Sequence, residues 1–341
     1  MTRRHHPHPL QEIANQARVS LATVDRALNG RGGVRPSTMA AINAAIADLD
    51  RQHFVSRLQG STVTIDLIMD APPRFSSEVI RACEAQLSTF APGRLRLRPY
   101  VQSDGDITAL TRVISNAISH NSNAIIIKAP DLPEITESLR VALDAHVPVI
   151  TLVTDLPNID RVAYIGIDNR AAGRTAAYLI DQWCPDANVP VLLSLSSDSF
   201  AGEEEREMGF RSALRGSGRT IFDISETRGL DEGVAHAAAL LQWTATDVCV
   251  YSIGGGNRSL LQALDEAGVQ CHTFIAHDLD SENRELLTNR RISAVVHHDL
   301  ARDMHQAVSV VLQENGLAAP TPVERSPLWV ITPENIPPSG F

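Results

Sequence analysis

Lysine is almost absent from this chain of 341 residues: of 30 basic residues one, Lys128, is lysine and the rest are arginine. The imbalance is read as genomic base composition, with no functional weight. Cysteine is scarce as well. Cys83, Cys184, Cys249 and Cys271 are scattered and form no CxxC pair, which speaks against a disulfide framework or a thiolate zinc site and suits buried, reduced thiols. No apolar run approaches the roughly 18–20 residues of a membrane span. The opening MTRRHHPHP leads straight into a polar helical pattern with no apolar core of a signal segment, so the expected location is the cytoplasm. Neither a GxSxG elbow, an HExxH pair, a P-loop nor a GxGxxG turn occurs, and no nucleophile and base stand in an obvious pair. An enzyme is therefore the weakest functional class, and no cofactor is implied.

What is present is ordinary globular material, 43% hydrophobic and 21% charged, enough for two or three domains with a large core. Charge is unevenly spread. The formal net charge is −10, yet residues 1–60 hold eight Arg against four Asp and Glu, a local excess of four positive charges. A small basic module on an acidic body would suit a protein that touches nucleic acid with one end only.

That basic end contains LQEIANQARVSLATVDRALNG, residues 10–30. Leu10, Ile13, Ala14 and Ala17 recur at helical spacing, Arg18-Val19-Ser20 breaks it, and Val24, Ala27 and Leu28 resume it. Two short helices follow, with Ser20 as N-cap of the second and Asn29-Gly30 suited to a left-handed stop. A helix-turn-helix would lay the second helix in the major groove. The candidate DNA-contacting residues are then Ser20, Leu21, Ala22, Thr23, Asp25, Arg26 and Asn29. Arg26 matches guanine O6 and N7, Leu21 and Ala22 match a thymine methyl, and Asp25 matches cytosine N4. An ordinary helical hairpin in a small three-helix unit has the same periodicity. Pro36 is placed for the first turn of a third helix, with Met39, Ile42, Ile46 and Leu49 as its apolar stripe.

From Thr62 the pattern changes to short β-branched runs alternating with helical ones, the signature of parallel sheets with crossover helices. Ten strands are expected: 63–69, 95–101, 124–128, 147–153, 162–167, 189–195, 220–225, 247–253, 272–277 and 292–296. They divide near Asp168 into two similar halves. Open α/β sheets bind ligands at the carboxyl ends of their strands, so Asp70, Phe75, Lys128, Asp155, Asp168, Arg206, Asn257, Asp278 and His297-His298 are the residues to inspect. Asp168 reads first as the cap of the helix beginning at Asn169. The His297-His298-Asp299 and His277-Asp278 runs match no zinc spacing, and imidazole–carboxylate hydrogen bonds account for them. The glycines of 254–256 follow neither phosphate-binding pattern.

Residues 10–38, through Ala22-Thr23-Val24, Arg26, Leu28-Asn29 and the continuing ALNGRGGVRPST, resemble the LacI/GalR family of bacterial transcription regulators. Residues 62–340 resemble the periplasmic-binding-protein-like effector domain of the same family, through YIGIDNRAAGRTAAYL, EEREMGF, GGGN and ITPENIP. The resemblance implies a small all-α helix-turn-helix domain followed by a two-lobed α/β domain with parallel sheets. Its expected divisions are a DNA-binding domain at 1–50, a hinge or linker at 51–61 and an effector domain at 62–341. Lobe 1 would take 62–165 plus 298–324, and lobe 2 166–297 plus 325–341. The linker would order on DNA and wedge Leu58 into the minor groove beside Arg57, although the segment lacks the usual Tyr-x-Pro-Asn, and a plain flexible linker reads equally from the residues.

Carried over by position, Arg206 grips ligand oxygens, Asp278 takes a pair of hydroxyls, Asn257 supplies an amide, His298 stands where many relatives have glutamine, and Phe75 stacks on a ring. Asp155 is the first-lobe candidate, two residues later than the usual aspartate position, which Val153 fills. Simpler roles exist: Asp278 with Arg206 as an ion pair, and Asn257 completing the glycine turn. The implied protein is a repressor that binds a pseudo-palindromic operator as a homodimer, with pairing into tetramers open, under control of a sugar or polyol effector. A solute-binding protein of a sugar transport system is the alternative. It would share the body but need a signal segment and have no use for a basic helix-turn-helix.

Overall fold

The computed structural model describes residues 8–30, 33–58, 62–90, 94–103, 105–195, 200–225 and 247–338. Three helices open the chain: α1 (Leu10–Ala17), α2 (Leu21–Leu28) and α3 (Pro36–Leu58). The apolar residues of the helical pattern close on one another, with Ile13, Ala14, Val24, Ala27, Ile42 and Leu49 forming a buried core of their own. Arg18 caps α1 in the left-handed conformation at φ 53°, and this sharp stop is what turns the chain into α2. The third helix runs without a break through Leu58, so the segment expected as a linker is helical from 51 to 58. The side chains of Arg57 and Leu58, both candidate DNA contacts, lie outside the described residues.

Two parallel sheets follow. The first has the order β2-β1-β3-β4-β5, built from β1 (Val63–Asp70), β2 (Leu95–Gln102), β3 (Ala124–Lys128), β4 (Val149–Leu152) and β5 (Ala163–Ile165). Between them run α4 (Pro73–Phe90), α5 (Ile107–Ser119) and α6 (Pro133–Asp144). The second sheet contains β6 (Val191–Leu195), β7 (Ile221–Ser225), β8 (Asp247–Ser252), β9 (Gln270–His277), β10 (Ala294–His297) and β11 (Trp329–Ile331). Their order is β11-β10-β9-β8-β6-β7, with β11 antiparallel to β10. Its helices are α7 (Asn169–Trp183), α8 (Ala201–Ala213), α9 (Asn257–Glu266) and α10 (Ser281–Thr288). The last helix, α11 (Leu300–Glu314), returns to the first sheet, where Met304, Ala307, Val308 and Val311 join the core with Val79 and Cys83 of α4. Central strands are buried on both faces, which is why AIIIK reads as a continuous apolar run without alternation.

Each expected strand is present within two residues at either end except β11, which sequence patterning missed. It is three residues long and pairs in the opposite direction, too short for periodicity to register. The chain crosses between the sheets three times: from β5 to α7 at 166–168, from β10 to α11 at 298–299, and from α11 to β11 at 315–328. Among the described residues no helix is long and apolar enough to cross a membrane.

Candidate functional site

In both sheets the strand order reverses beside the first strand, between β2 and β3 around β1 and between β7 and β8 around β6. Adjacent connections leave toward opposite faces at such a point and open a crevice at the strand ends. The first of these crevices holds Asp70, the last residue of β1, and Lys128, the last of β3. They border a cleft of about 440 Å³ between the two sheets, large enough for a small polar molecule. Phe75, Arg206 and Asp278 line it, together with Asp70, Arg74 and Lys128.

Arg206 is held by close helix packing. A Cβ on Gly173 would stand 1.9 Å from the Arg206 carbonyl oxygen, and one on Gly209 would stand 2.2 Å from that of Arg170. Only glycine permits α7 and α8 to approach this closely. The guanidinium, 4% exposed, donates through Nε to Asn169 Oδ1 at 2.8 Å and through Nη1 to the Ile253 carbonyl at 3.3 Å. Asn169 in turn donates to Tyr164 Oη and to the Val153 carbonyl. Arg206 therefore enters the cleft with its plane fixed and, among the described residues, no carboxylate bonded to it.

Asp278 follows β9 with φ at 61°, a left-handed conformation in which an aspartate side chain is tolerated. Its Oδ1 lies 3.4 Å from His298 Nε2. His298 is fully buried and bonds through Nδ1 to Asp303. Burial alone would lower the His298 pKa, but the carboxylates of Asp278 and Asp303 outweigh it and lift it to about 10. Burial would likewise raise the Asp278 pKa, and His298 with Arg206 outweigh it and hold the carboxyl well below the usual carboxylate range. Nearby His277, whose Nε2 is 2.7 Å from Tyr251 Oη, is kept neutral by burial and by Arg206.

Three expected ligand residues are placed elsewhere. Asp155 turns away from the cleft to accept from Thr151 Oγ1 at 2.8 Å and to pair with Arg161, because the left-handed Val153, φ 65°, diverts the chain after β4. Thr154 lines the cleft in its stead. Asn257 is buried under the α9 N-terminus, its Nδ2 2.6 Å from Asn283 Oδ1, and Asn283 is the amide that reaches the cleft. His298 stands behind Asp278 and does not itself line the cavity. The Asp278–Arg206 ion pair considered from sequence is not formed, while Asp168 caps α7 by accepting from Ala171 N at 2.8 Å.

Lys128, given no weight by composition, is a central cleft residue. Its Nζ donates to the Asp70 carbonyl at 3.1 Å and lies 3.8 Å from the centre of the Phe200 ring, a cation–π contact between the two lobes. Burial lowers its pKa, opposed by Glu203 and Asp70. Arg74 of α4 pairs across the cleft with Asp280 at 2.7 Å, and Gly202 N donates to Thr154 Oγ1 at 2.9 Å. Donors and acceptors of both charges thus face one small volume. The single signal available in sequence was the position of Lys128 at a strand end.

The second candidate surface is α2. Ser20 Oγ accepts from Thr23 N at 3.2 Å and shares a 2.7 Å hydrogen bond with Thr23 Oγ1. These two hydroxyls shape the helix start. Val24 and Ala27 are buried, which turns Leu21, Ala22 and Arg26 outward. Leu21 is 45% exposed, an unusual position for a leucine. Asp25 is tied to Asn29, whose Nδ2 reaches both its carbonyl and its carboxylate at 2.9 Å.

A three-helix head with an exposed second helix is thus joined to a two-lobed α/β domain with a polar cleft. The sequence pattern of the bacterial regulatory proteins of the lacI family matches residues 9–50, and that of the periplasmic binding protein domain matches residues 71–315. The chain belongs, over residues 71–315, to the periplasmic binding protein domain family, and its first helices match the domain of the lacI family of bacterial regulatory proteins. It is similar to catabolite control protein A of Staphylococcus epidermidis, 29% identical over 178 residues, which cover 51% of this chain and 52% of that one. The sucrose operon repressor of Escherichia coli is 25% identical over 226 residues, 64% of each chain. The match to the first of these relatives thus spans about half of its length. Among solved structures the fold is similar to a glucose-galactose binding protein from Geobacillus stearothermophilus, with a TM-score of 0.69 and 20% identity over 81% of this chain and 99% of that one.

Proposed function

We propose that the chain is a sequence-specific transcription regulator, acting as a repressor, whose operator affinity is set by a small hydroxyl-rich ligand held between the lobes. The observation that carries this reading is the union of two surfaces in one chain: the outward Leu21, Ala22 and Arg26 of α2, and a cleft where Asp278, Arg206, Lys128 and Asn283 converge. Paired hydroxyls need acceptors and donors side by side, which a carboxylate, a guanidinium, an ammonium and an amide supply. Phe75 offers an apolar wall for a ring face. The names of the relatives, a catabolite control protein and a sucrose operon repressor, and the sugar-binding neighbour in structure support the same class of ligand.

The proposed divisions are a DNA-binding head at 1–50, a connecting segment at 51–61 and a two-lobed body at 62–341, working as a homodimer on a pseudo-palindromic operator. Ligand and operator then alter each other's affinity by the same factor. Two measurements test the reading together. Selection of duplexes from a random pool by the full chain is expected to enrich a pseudo-palindrome, and no enrichment would overturn the DNA-binding assignment. Thermal unfolding against monosaccharides, polyols, sugar acids and sugar phosphates is expected to show one stabilising class, by about 2.7 kcal/mol at a hundredfold excess over Kd. A flat panel would remove the sugar or polyol.

A further inference from the structure

Behind the cleft wall, buried polar groups continue from Asp278 to the places where the chain crosses between lobes. His298 begins the second crossing and faces Asp278 at 3.4 Å. Its other nitrogen bonds to Asp303 Oδ2, whose Oδ1 accepts from Ser326 Oγ. Ser326 belongs to the third crossing, and its backbone N donates to the carbonyl of Gly166, in the first crossing, at 3.0 Å. His298 and Asp303 are fully buried and Ser326 is 7% exposed. The first crossing is also tied to the other cleft charge. Arg206 reaches Asn169, Asn169 reaches Tyr164 Oη, and Tyr164 Oη donates toward the carbonyls of Val153 and Ile167.

We infer that His298 is a positioning residue that backs the Asp278 carboxylate where it borders the cleft and, through Asp303 and Ser326, links that place to all three crossings between the lobes. A buried ion pair between an aspartate and a histidine needs further hydrogen bonds to offset its desolvation. Asp303 and Ser326 supply them on the side away from the cleft. Two polar atoms remain without a hydrogen bond at the near end, Asp278 Oδ1 and His298 Nε2, facing each other beyond good hydrogen-bonding distance. This near end is the loose link. A ligand hydroxyl that draws Asp278 into the cleft acts on the crossings through the same groups. The charged and titratable groups around His298 are Asp278, Asp303, His297, Asp299, His277 and Arg206. His297 is itself lowered to about 4 by burial and by His298, and therefore adds no competing charge at neutral pH.

The wiring is a property of the folded chain and is tested without a ligand, so its failure is separate from failure of the sugar reading. Nitrogen NMR of the histidine-labelled full chain, with the His298 signal assigned by its loss in His298→Gln, reads its charge directly. An imidazolium signal persisting at pH 8, lost at lower pH in Asp303→Asn than in the parent, is expected; a neutral ring at pH 8 would overturn the inference. Hydrogen exchange of the 164–168 and 324–328 segments reads the fastening. Both His298→Gln and Asp303→Asn should speed exchange there about tenfold, the loss of one buried hydrogen-bonded link. Glu285→Gln, exposed on α10 and paired with Arg258, should leave it unchanged. Exchange in His298→Gln and Asp303→Asn within twofold of the parent, or an equal rise in Glu285→Gln, would show that the groups are only neighbours. If Asp303→Asn fails to fold, the parent signal, assigned through His298→Gln, reads the charge and His298→Gln alone reads the exchange.

Discussion

A single proton separates two states of His298, and its place in the fold fixes which one prevails. With its pKa raised to about 10 from 6.5, the folded state binds a proton that the unfolded state releases over that window. The contribution of this group to stability is complete below the unfolded value and is lost as pH rises through the folded one. Unfolding midpoints in urea should therefore fall from pH 6.5 toward pH 10, and His298→Gln should flatten that fall; a parallel pH profile in the variant would show that another group is responsible. Lys128 offers a second residue-scale reading. It is the sole lysine, so an amine-directed reagent has one side-chain target, whose protonation is disfavoured by burial. Acetylation of Lys128, followed by mass spectrometry, should slow when the stabilising sugar is present. An unchanged rate at saturating sugar would place the ligand away from Phe200 and Lys128.

At the scale of the element, α2 and the α7–α8 pair each turn a local rule into a site. Burial of Val24 and Ala27 dictates the outward face of α2, and Arg26, bonded weakly through Nε to the Ala22 carbonyl at 3.3 Å, remains free to swing toward a base. Arg26→Ala should relax base preference at one position of each half-site, by about 1–3 kcal/mol for a lost bidentate contact, in a selection repeated with the variant. Unchanged preference would remove Arg26 from the readout. Between α7 and α8 the distances in the Gly173 and Gly209 contacts leave no room for a methyl group. Gly209→Ala should cost about 1–3 kcal/mol of stability by overpacking, seen as a lower denaturation midpoint. It should also weaken ligand binding, because the added methyl pushes α7 away from the helix that carries Arg206. Loss of stability with ligand affinity intact would mean that the packing does not set the arginine.

The whole molecule joins a basic head to an acidic body, and the two sites it joins are separable. Asp278→Ala removes a carboxylate from the cleft, so DNA affinity should remain while its response to the proposed ligand is lost. A variant that still responds normally to the ligand would displace Asp278 from the ligand site. Among the described residues, contacts that span the mouth of the cleft include Arg74 with Asp280, Lys128 with Phe200 and Thr154 with Gly202. Each joins residues brought together only when both sheets have formed, which makes the cleft the part of the body most able to respond to what occupies it.

Much of this was legible in the residues. Local rules gave the helix-turn-helix, because capping and 3.6-residue periodicity act within a few positions, and they gave the parallel sheets, because β-branched runs between helical ones have few other solutions. Cleft positions that follow from a strand end, such as Asp278 and Lys128, were also within reach, although composition alone dismissed the lysine. What only the tertiary structure decided is which of those ends face each other. Asp155 was lost from the cleft to one left-handed residue, Val153, and Asn283 took the place expected of Asn257. Arg74 and Asp280 stand 206 positions apart in the chain and 2.7 Å apart in space, and His298 meets Asp303 and Ser326 where the chain crosses between lobes. Such pairings leave no periodic trace, since they depend on how two independently formed sheets are set against each other.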